Sequence, residues 1–138
     1  MEYLIGFVLG AVVCAFARLS GFDRERVFYP TVAAVVATYY FLFAARVSAM
    51  RALVLESWVA CAYFALAVVG FKKDLWLIVV ALVGHAAFDS VHHFFIDNPG
   101  LPIWWPGFCG SIDLFMGGYL AFLLKRRSGF ASNRGASS

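Results

Sequence analysis

All three histidines of the chain lie close to one carboxylate within the apolar stretch of residues 75–96. The four residues are His85, Asp89, His92 and His93. Because an α-helix turns by about 100° per residue, their side chains would project from one arc about 100° wide. Ionisable groups are costly inside a membrane span and normally face a bundle interior or a water-filled cavity. The stretch therefore predicts a polar functional site within a membrane helix.

The spacing of these residues suits a metal ion. His85 and Asp89 are four positions apart, and Asp89 and His92 are three apart, so either pair could reach one ion. His85 and His92 lie two turns apart, about 10 Å along the axis, and are not expected to share an ion. The predicted ligand set adds carboxylates from other spans and consists of Asp89, His92, His93, Glu56 and Asp113. Mixed imidazole and carboxylate ligands suit zinc or iron, and manganese is a further option.

Two alternatives need no metal. In the first, His85, Asp89 and Glu56 perform acid–base chemistry on a lipophilic ligand, or relay protons part of the way through the membrane. In the second, the buried carboxylates pair with Arg46 and Arg51 and with the histidines only to fix helix register. The chain would then be a structural subunit of a membrane complex. The sequence leaves the three hypotheses open.

Two short segments of this stretch resemble sites in known membrane enzymes. DSVHH, residues 89–93, resembles the HxxHH box of membrane di-iron desaturases and hydroxylases, with Asp in the first position. That family uses several histidine-rich boxes, and no histidine lies elsewhere in this chain, so we do not assign the chain to it. HAAFD, residues 85–89, is similar to the His and acidic pair of sterol-isomerase-like four-helix proteins, and it too assigns no family.

The composition indicates an integral membrane protein. The chain has 138 residues, of which 63% are hydrophobic and 14% charged, whereas soluble domains are about 45–50% apolar and about 25% charged. Long uncharged apolar runs predict an all-α, polytopic transmembrane bundle, with membrane lipids as partners. The net charge of +3 does not indicate nucleic-acid binding. The basic residues flank the apolar runs, where they set orientation and contact anionic headgroups.

Five spans are predicted, at about residues 3–19, 31–49, 52–71, 75–96 and 112–124. A four-span alternative omits the first. Residues 1–127 would form the bundle, and residues 128–138 would form a disordered cytoplasmic tail. Gly6 and Gly10 in the first span form a GxxxG motif, which allows close approach of another helix.

A segment rich in proline joins the fourth and fifth predicted spans. Three prolines within residues 97–111 predict that this segment is not an ordinary helix. Trp104 and Trp105 are typical of a membrane–water interface, and Cys109 follows them. We expect the segment to lie over the bundle mouth as a lid or interface.

The basic residues predict the orientation of the chain. Only Arg46 and Arg51 fall on one side of the five-span arrangement, and nine basic residues fall on the other: Arg18, Arg24, Arg26, Lys72, Lys73, Lys125, Arg126, Arg127 and Arg134. By the positive-inside rule, the N-terminus lies outside and the C-terminus is cytoplasmic. Glu56, Asp113 and the outer end of the histidine helix would then share the outer leaflet.

The size and composition also bear on location and assembly. The small size and the lack of eukaryotic sorting features predict a bacterial inner membrane. Five short helices bury little surface among themselves, so we expect a homo-oligomer or membership of a membrane complex. No Gly-rich phosphate loop, nucleophile elbow or CxxCH haem motif is present in the sequence.

Overall fold

A computed structural model describes the backbone of residues 1–135 and the side chains of residues 1–128. Within this part the chain is all-helical, with no strand. Five of its helical segments are long and apolar enough to cross a membrane. These findings confirm the predicted all-α class and the predicted number of span-length segments.

Six α-helices and one short 3-10 turn make up the described chain. The helices are α1 (Glu2–Ser20), α2 (Phe28–Val36), α3 (Tyr39–Arg46), α4 (Met50–Lys72), α5 (Trp76–Phe95) and α6 (Trp105–Gly135). The 3-10 turn, Phe22–Arg24, joins α1 to α2. It follows Gly21, whose φ of 84° lies in the left-handed region that glycine adopts without strain.

The second predicted span consists of two helices. Phe28–Arg46 has the length of a span, but a turn at residues 37–38 separates α2 from α3. The Thr38 hydroxyl donates to the Val35 carbonyl at 2.7 Å, and the Thr38 amide donates to the same carbonyl at 3.0 Å. These i to i−3 bonds replace the normal helical ladder and interrupt it. The break leaves Tyr40 in the first turn of a separate helix.

The last helix is longer than the sequence predicts at both ends. It begins at Trp105 instead of residue 112, because Pro106 occupies the first turn, where a missing N–H breaks no helical bond. The helix continues to Gly135 through most of the stretch for which the sequence predicts a disordered tail. Once a helix is nucleated, each added residue contributes a hydrogen bond. Residues 136–138 of that predicted tail lie outside the described residues.

Helix α6 packs most extensively against α5 and α1. At Gly10 an added Cβ would lie 3.2 Å from Cβ of Phe115, and at Gly6 it would overlap the Phe108 carbonyl. The GxxxG motif of α1 therefore lies against α6, as its spacing allows. On the other side of α6, Gly110 and Gly117 face α5. Glycine at these positions lets the three helix backbones approach closely.

The bundle has an apolar half and a polar half. The larger apolar core includes Ile78 and Leu82 from the first half of α5 and Met116 and Leu120 from the middle of α6. The second half of α5 and the start of α6 instead bury polar side chains, and the loop of residues 96–104 lies at that end. The outer faces of the bundle are apolar, because they expose large hydrophobic side chains such as Trp58. The antiparallel pair α5 and α6 thus positions the site.

Candidate metal centre

Within the helices, the polar half of the bundle contains seven buried side chains that carry hydrogen-bonding or ionisable groups. Helix α5 supplies three of them, α6 supplies two, and α3 and α4 supply one each; they are His85, Asp89, His92, Cys109, Asp113, Tyr40 and Glu56. None exposes more than 3% of its surface. Burial of polar groups is costly unless they are paired, so the partners of each group decide what the site can do.

Four of these residues could together hold a metal ion. One ligand atom from each of His85, Asp89, Cys109 and Asp113 lies within 4.8 Å of the other three. Nδ1 of His85 lies 2.9 Å from Oδ2 of Asp113 and 3.5 Å from Oδ1 of Asp89. The thiol of Cys109 lies 4.0 Å from Oδ2 of Asp113. Around a tetrahedral zinc ion, neighbouring N and O ligands are about 3.3 Å apart and S and O ligands about 3.6 Å, so small shifts would complete the sphere.

The sequence spacing explains how four ligands converge. His85 and Asp89 lie one turn apart on α5, and Cys109 and Asp113 lie one turn apart on α6. Residues four apart project from the same helix face, so each helix presents two ligands to the other. Gly110 allows this approach, because a Cβ there would lie only 3.3 Å from Oδ2 of Asp89.

Carboxyl groups outnumber histidines in the polar half. It contains three carboxylates, those of Glu56, Asp89 and Asp113, but only two buried histidines. In the part of the chain that the structure describes, no Lys or Arg forms an ion pair with these carboxylates. Arg46 and Arg51 are exposed. If all three carboxyl groups are ionised, one negative charge exceeds the two histidines even when both are protonated, and a bound cation would offset it.

A second pair lies nearer the end of α5. Nε2 of His92 lies 2.7 Å from Oε1 of Glu56, and the Asn98 side-chain amide donates to the same oxygen at 3.0 Å. The amide of Asn98 also donates to the backbone carbonyl of Tyr40 at 3.0 Å. Asn98 therefore ties the loop after α5 to both α3 and α4.

Tyr40 connects the two groups. Its hydroxyl donates to Oδ1 of Asp89 at 2.6 Å, and its ring centroid lies 4.4 Å from that of His92. Since tyrosine is both a donor and a large packing surface, one side chain fixes a carboxylate of the first group and an imidazole of the second.

Four buried polar atoms of these seven residues have no hydrogen-bond partner within the described protein. They are Oδ2 of Asp89, Oδ1 of Asp113, Oε2 of Glu56 and Nδ1 of His92. An unsatisfied buried polar group costs about 1–3 kcal/mol. Such atoms are therefore available for a ligand, a metal ion or water.

A cavity of about 560 Å³ adjoins the polar half. Asp89, His92 and Asn98 line it from α5 and the following loop, and Gly110 and Leu114 line it from α6. One ligand of the candidate metal centre therefore borders open space, as in sites where an ion keeps a free coordination position.

The structure groups the predicted site residues differently from the sequence analysis. His85, which the predicted ligand set omits, joins Asp89 and Asp113. Glu56 and His92 belong instead to the second pair. His93 is exposed, and its ring lies 3.8 Å from that of Phe94 by centroid distance.

The residues predicted as a lid also differ in position. Cys109 is buried in the candidate metal centre instead of lying over the bundle mouth. Trp105 begins α6 and packs on Tyr39, with a centroid separation of 5.1 Å. Trp104 is half exposed, and the cavity lining within the described chain includes neither tryptophan.

Sequence reasoning missed the parts played by Tyr40 and Asn98. Tyr40 is one of three successive polar residues in an apolar run, a signal for a buried hydroxyl that does not identify its partner. Asn98 precedes Pro99 and Gly100 and resembles an ordinary turn residue. Neither pattern indicates a bond to a specific helix.

Comparisons with models of known protein families, with curated proteins and with solved structures give no match for this chain.

Proposed function

We propose that this chain is an integral membrane protein that binds a divalent transition-metal ion between α5 and α6. The observation that carries the proposal is the convergence of four buried ligand atoms, from His85, Asp89, Cys109 and Asp113, within 4.8 Å of one another. The excess of buried carboxylates supports a cation at this position.

The chemistry of the donor set favours zinc. One imidazole nitrogen, one thiol sulfur and two carboxylate oxygens are all common zinc ligands in tetrahedral sites. Iron accepts the same donors, whereas manganese prefers oxygen ligands and is a poorer match for Cys109. A zinc ion with a coordination position toward the cavity would polarise a bound water or carbonyl group.

The proposal includes a membrane location. Five span-length apolar segments and mostly apolar outer faces support insertion. The nine-to-two distribution of basic residues supports an external N-terminus and a cytoplasmic C-terminus. In this orientation the metal centre and its cavity lie in the outer half of the membrane. The inner membrane of a bacterium is the proposed location.

Elemental analysis of the purified protein tests the metal proposal. The protein is expressed with a tag that contains no histidine, purified in detergent without chelators, and analysed by inductively coupled plasma mass spectrometry. We expect about one zinc ion per chain. Cys109→Ala and Asp113→Asn should each lower the metal content about tenfold or more, because each removes a direct ligand.

Matched substitutions control for damage to the fold. Cys14→Ala changes a cysteine that is equally buried but lies in the apolar core. Asp23→Asn changes a buried aspartate that pairs with Arg18. Both should retain wild-type metal content. A folded wild-type protein without metal, or equal metal content in Cys109→Ala and wild type, would refute the proposal.

Acid–base chemistry without metal is the second candidate, and two short contacts favour it. The separations between His85 and Asp113, 2.9 Å, and between His92 and Glu56, 2.7 Å, already suit direct hydrogen bonds. Such His–carboxylate pairs orient an imidazole for proton transfer to a lipophilic ligand. A folded, metal-free wild-type protein would support this candidate against the first.

A further inference from the structure

The cavity beside α5 has a polar wall and an apolar wall. Its polar side includes Asp89, His92 and Asn98, and its apolar side includes Leu101, Ile103 and Leu114. Its volume of about 560 Å³ lies in the usual range of small-molecule sites, about 300–1,000 Å³. A ligand that matches both walls has a polar head and an apolar chain.

The contacts of His92 favour one tautomer of its ring. Oε1 of Glu56 accepts from the Asn98 amide, and an ionised carboxylate at this position would also accept from Nε2–H of His92. In the neutral imidazole, a proton on Nε2 leaves a lone pair on Nδ1. The side chain is 1% exposed, and Nδ1 has no partner within the described protein. His92 therefore presents a buried acceptor at a residue that lines the cavity.

A second free acceptor lies one helical turn away. Oδ2 of Asp89 has no partner, whereas Oδ1 accepts from Tyr40. Asp89 and His92 are three positions apart on α5 and line the same cavity. Two unpaired acceptors in the cavity wall disfavour a ligand whose head group can only accept hydrogen bonds, because a buried acceptor needs a donor.

We propose that this cavity binds an amphiphile whose head group donates hydrogen bonds, through hydroxyl or ammonium groups, to Nδ1 of His92 and to Asp89. Its apolar chain packs against Leu101, Ile103 and Leu114. The site goes beyond the metal proposal, since His92 lies outside the candidate ligand group and anchors the amphiphile whether or not an ion is bound.

Photolabelling with three probes of equal chain length tests the site. Each probe carries a diazirine on an eight-carbon chain, and the heads are those of octanoylglycerol, octylamine and methyl octanoate. The protein is purified in lauryldimethylamine oxide, which donates no hydrogen bond at neutral pH. Labelled positions are mapped by mass spectrometry. We expect at least one donor head to label the cavity-lining residues about fivefold or more above the methyl ester, the effect of one hydrogen bond.

The comparison of heads on the wild-type protein requires no substitution, so it cannot fail through misfolding. His92→Phe should reduce labelling by the preferred donor probe to the level of the methyl ester. Trp58→Phe is the control, because Trp58 is exposed on α4 and does not line the cavity, so this variant should retain the preference. Preferential labelling by the hydroxyl or the amine probe identifies the head group.

Equal labelling by all three probes, or an equal loss in His92→Phe and Trp58→Phe, would overturn this proposal. Zinc content is measured in the same samples. Because His92 is not a candidate ligand, His92→Phe should keep its metal. The failure of the amphiphile site is therefore distinguishable from the failure of the metal site.

Discussion

Tyr40 couples two parts of the site through one side chain. Its hydroxyl holds Oδ1 of Asp89, which leaves Oδ2 free for the metal or the cavity, and its ring packs on His92. The hydrogen bond at 2.6 Å is short because the acceptor is a carboxylate. Tyr40 is therefore a positioning residue for both groups.

Replacing Tyr40 with Phe should lower the free energy of unfolding by about 1–3 kcal/mol, because the substitution leaves Oδ1 of Asp89 buried without its donor. The measurement is unfolding in mixed micelles with a rising fraction of SDS. Tyr39→Phe provides the matched control, since Tyr39 packs on Trp105 away from the polar group. Equal stability losses in both variants would contradict this role for Tyr40.

Asn98 joins a loop to two helices, and its removal should loosen that loop. Asn98→Ala leaves Oε1 of Glu56 and the Tyr40 carbonyl with one donor fewer each. We expect a loss of about 2 kcal/mol in unfolding free energy and faster hydrogen exchange across residues 96–104. Asp97→Ala, an exposed neighbour, should change neither quantity. Unchanged exchange in Asn98→Ala would show that the loop is held by other contacts.

At the scale of the elements, the close approach of α5 and α6 brings the ligands together. Gly110 faces Asp89, and Gly117, about two helical turns further along α6, faces Val83. Without a side chain at these positions, Cys109 and Asp113 can reach His85 directly. The distance between the helix backbones thus determines the ligand separations.

Gly110→Ala should lower metal content while leaving the chain folded. The added Cβ would lie 3.3 Å from Oδ2 of Asp89, which requires a shift of the carboxylate or the helix. Gly118→Ala is the matched control, because no atom lies within 4 Å of its added Cβ. That control should keep its metal and gain up to about 1 kcal/mol from helix propensity. Equal metal content in both variants would mean that the α5–α6 approach does not control the site.

The pattern of α5 predicts most of the site but not its pairing. The sequence places His85 and His92 about two turns apart, and the structure indeed assigns them to different groups. Asp113 contacts His85, and Glu56 contacts His92. This choice depends on how α4 and α6 rotate and slide against α5, which helical periodicity within each segment does not specify.

At the scale of the whole molecule, apolar runs long enough to span a membrane predict the number and order of the helical segments. The break at residues 37–38 and the early start of α6 are harder to predict from the sequence. At the positions of Thr38 and Pro106, the sequence is compatible with either a helix or a turn. Their effect depends on whether the freed backbone groups find partners, which tertiary packing decides.

The distribution of charge makes the orientation of the whole bundle testable. Nine basic residues predict that the loop after α4 is cytoplasmic and, because α5 crosses next, that the loop after α5 is external. Asp97→Cys and Lys73→Cys place an exposed thiol in each loop. Of the native cysteines, Cys14 and Cys109 are buried, and Cys61 lies on the apolar middle of α4.

In intact cells, a membrane-impermeant maleimide should label Asp97→Cys but not Lys73→Cys, and permeabilisation should expose both. The unmodified chain provides the background. This orientation would place the cavity, which is lined by Tyr3 of α1 and Ile103 of the loop after α5, in the outer leaflet. Labelling of Lys73→Cys alone in intact cells would reverse the orientation and place the cavity in the cytoplasmic leaflet.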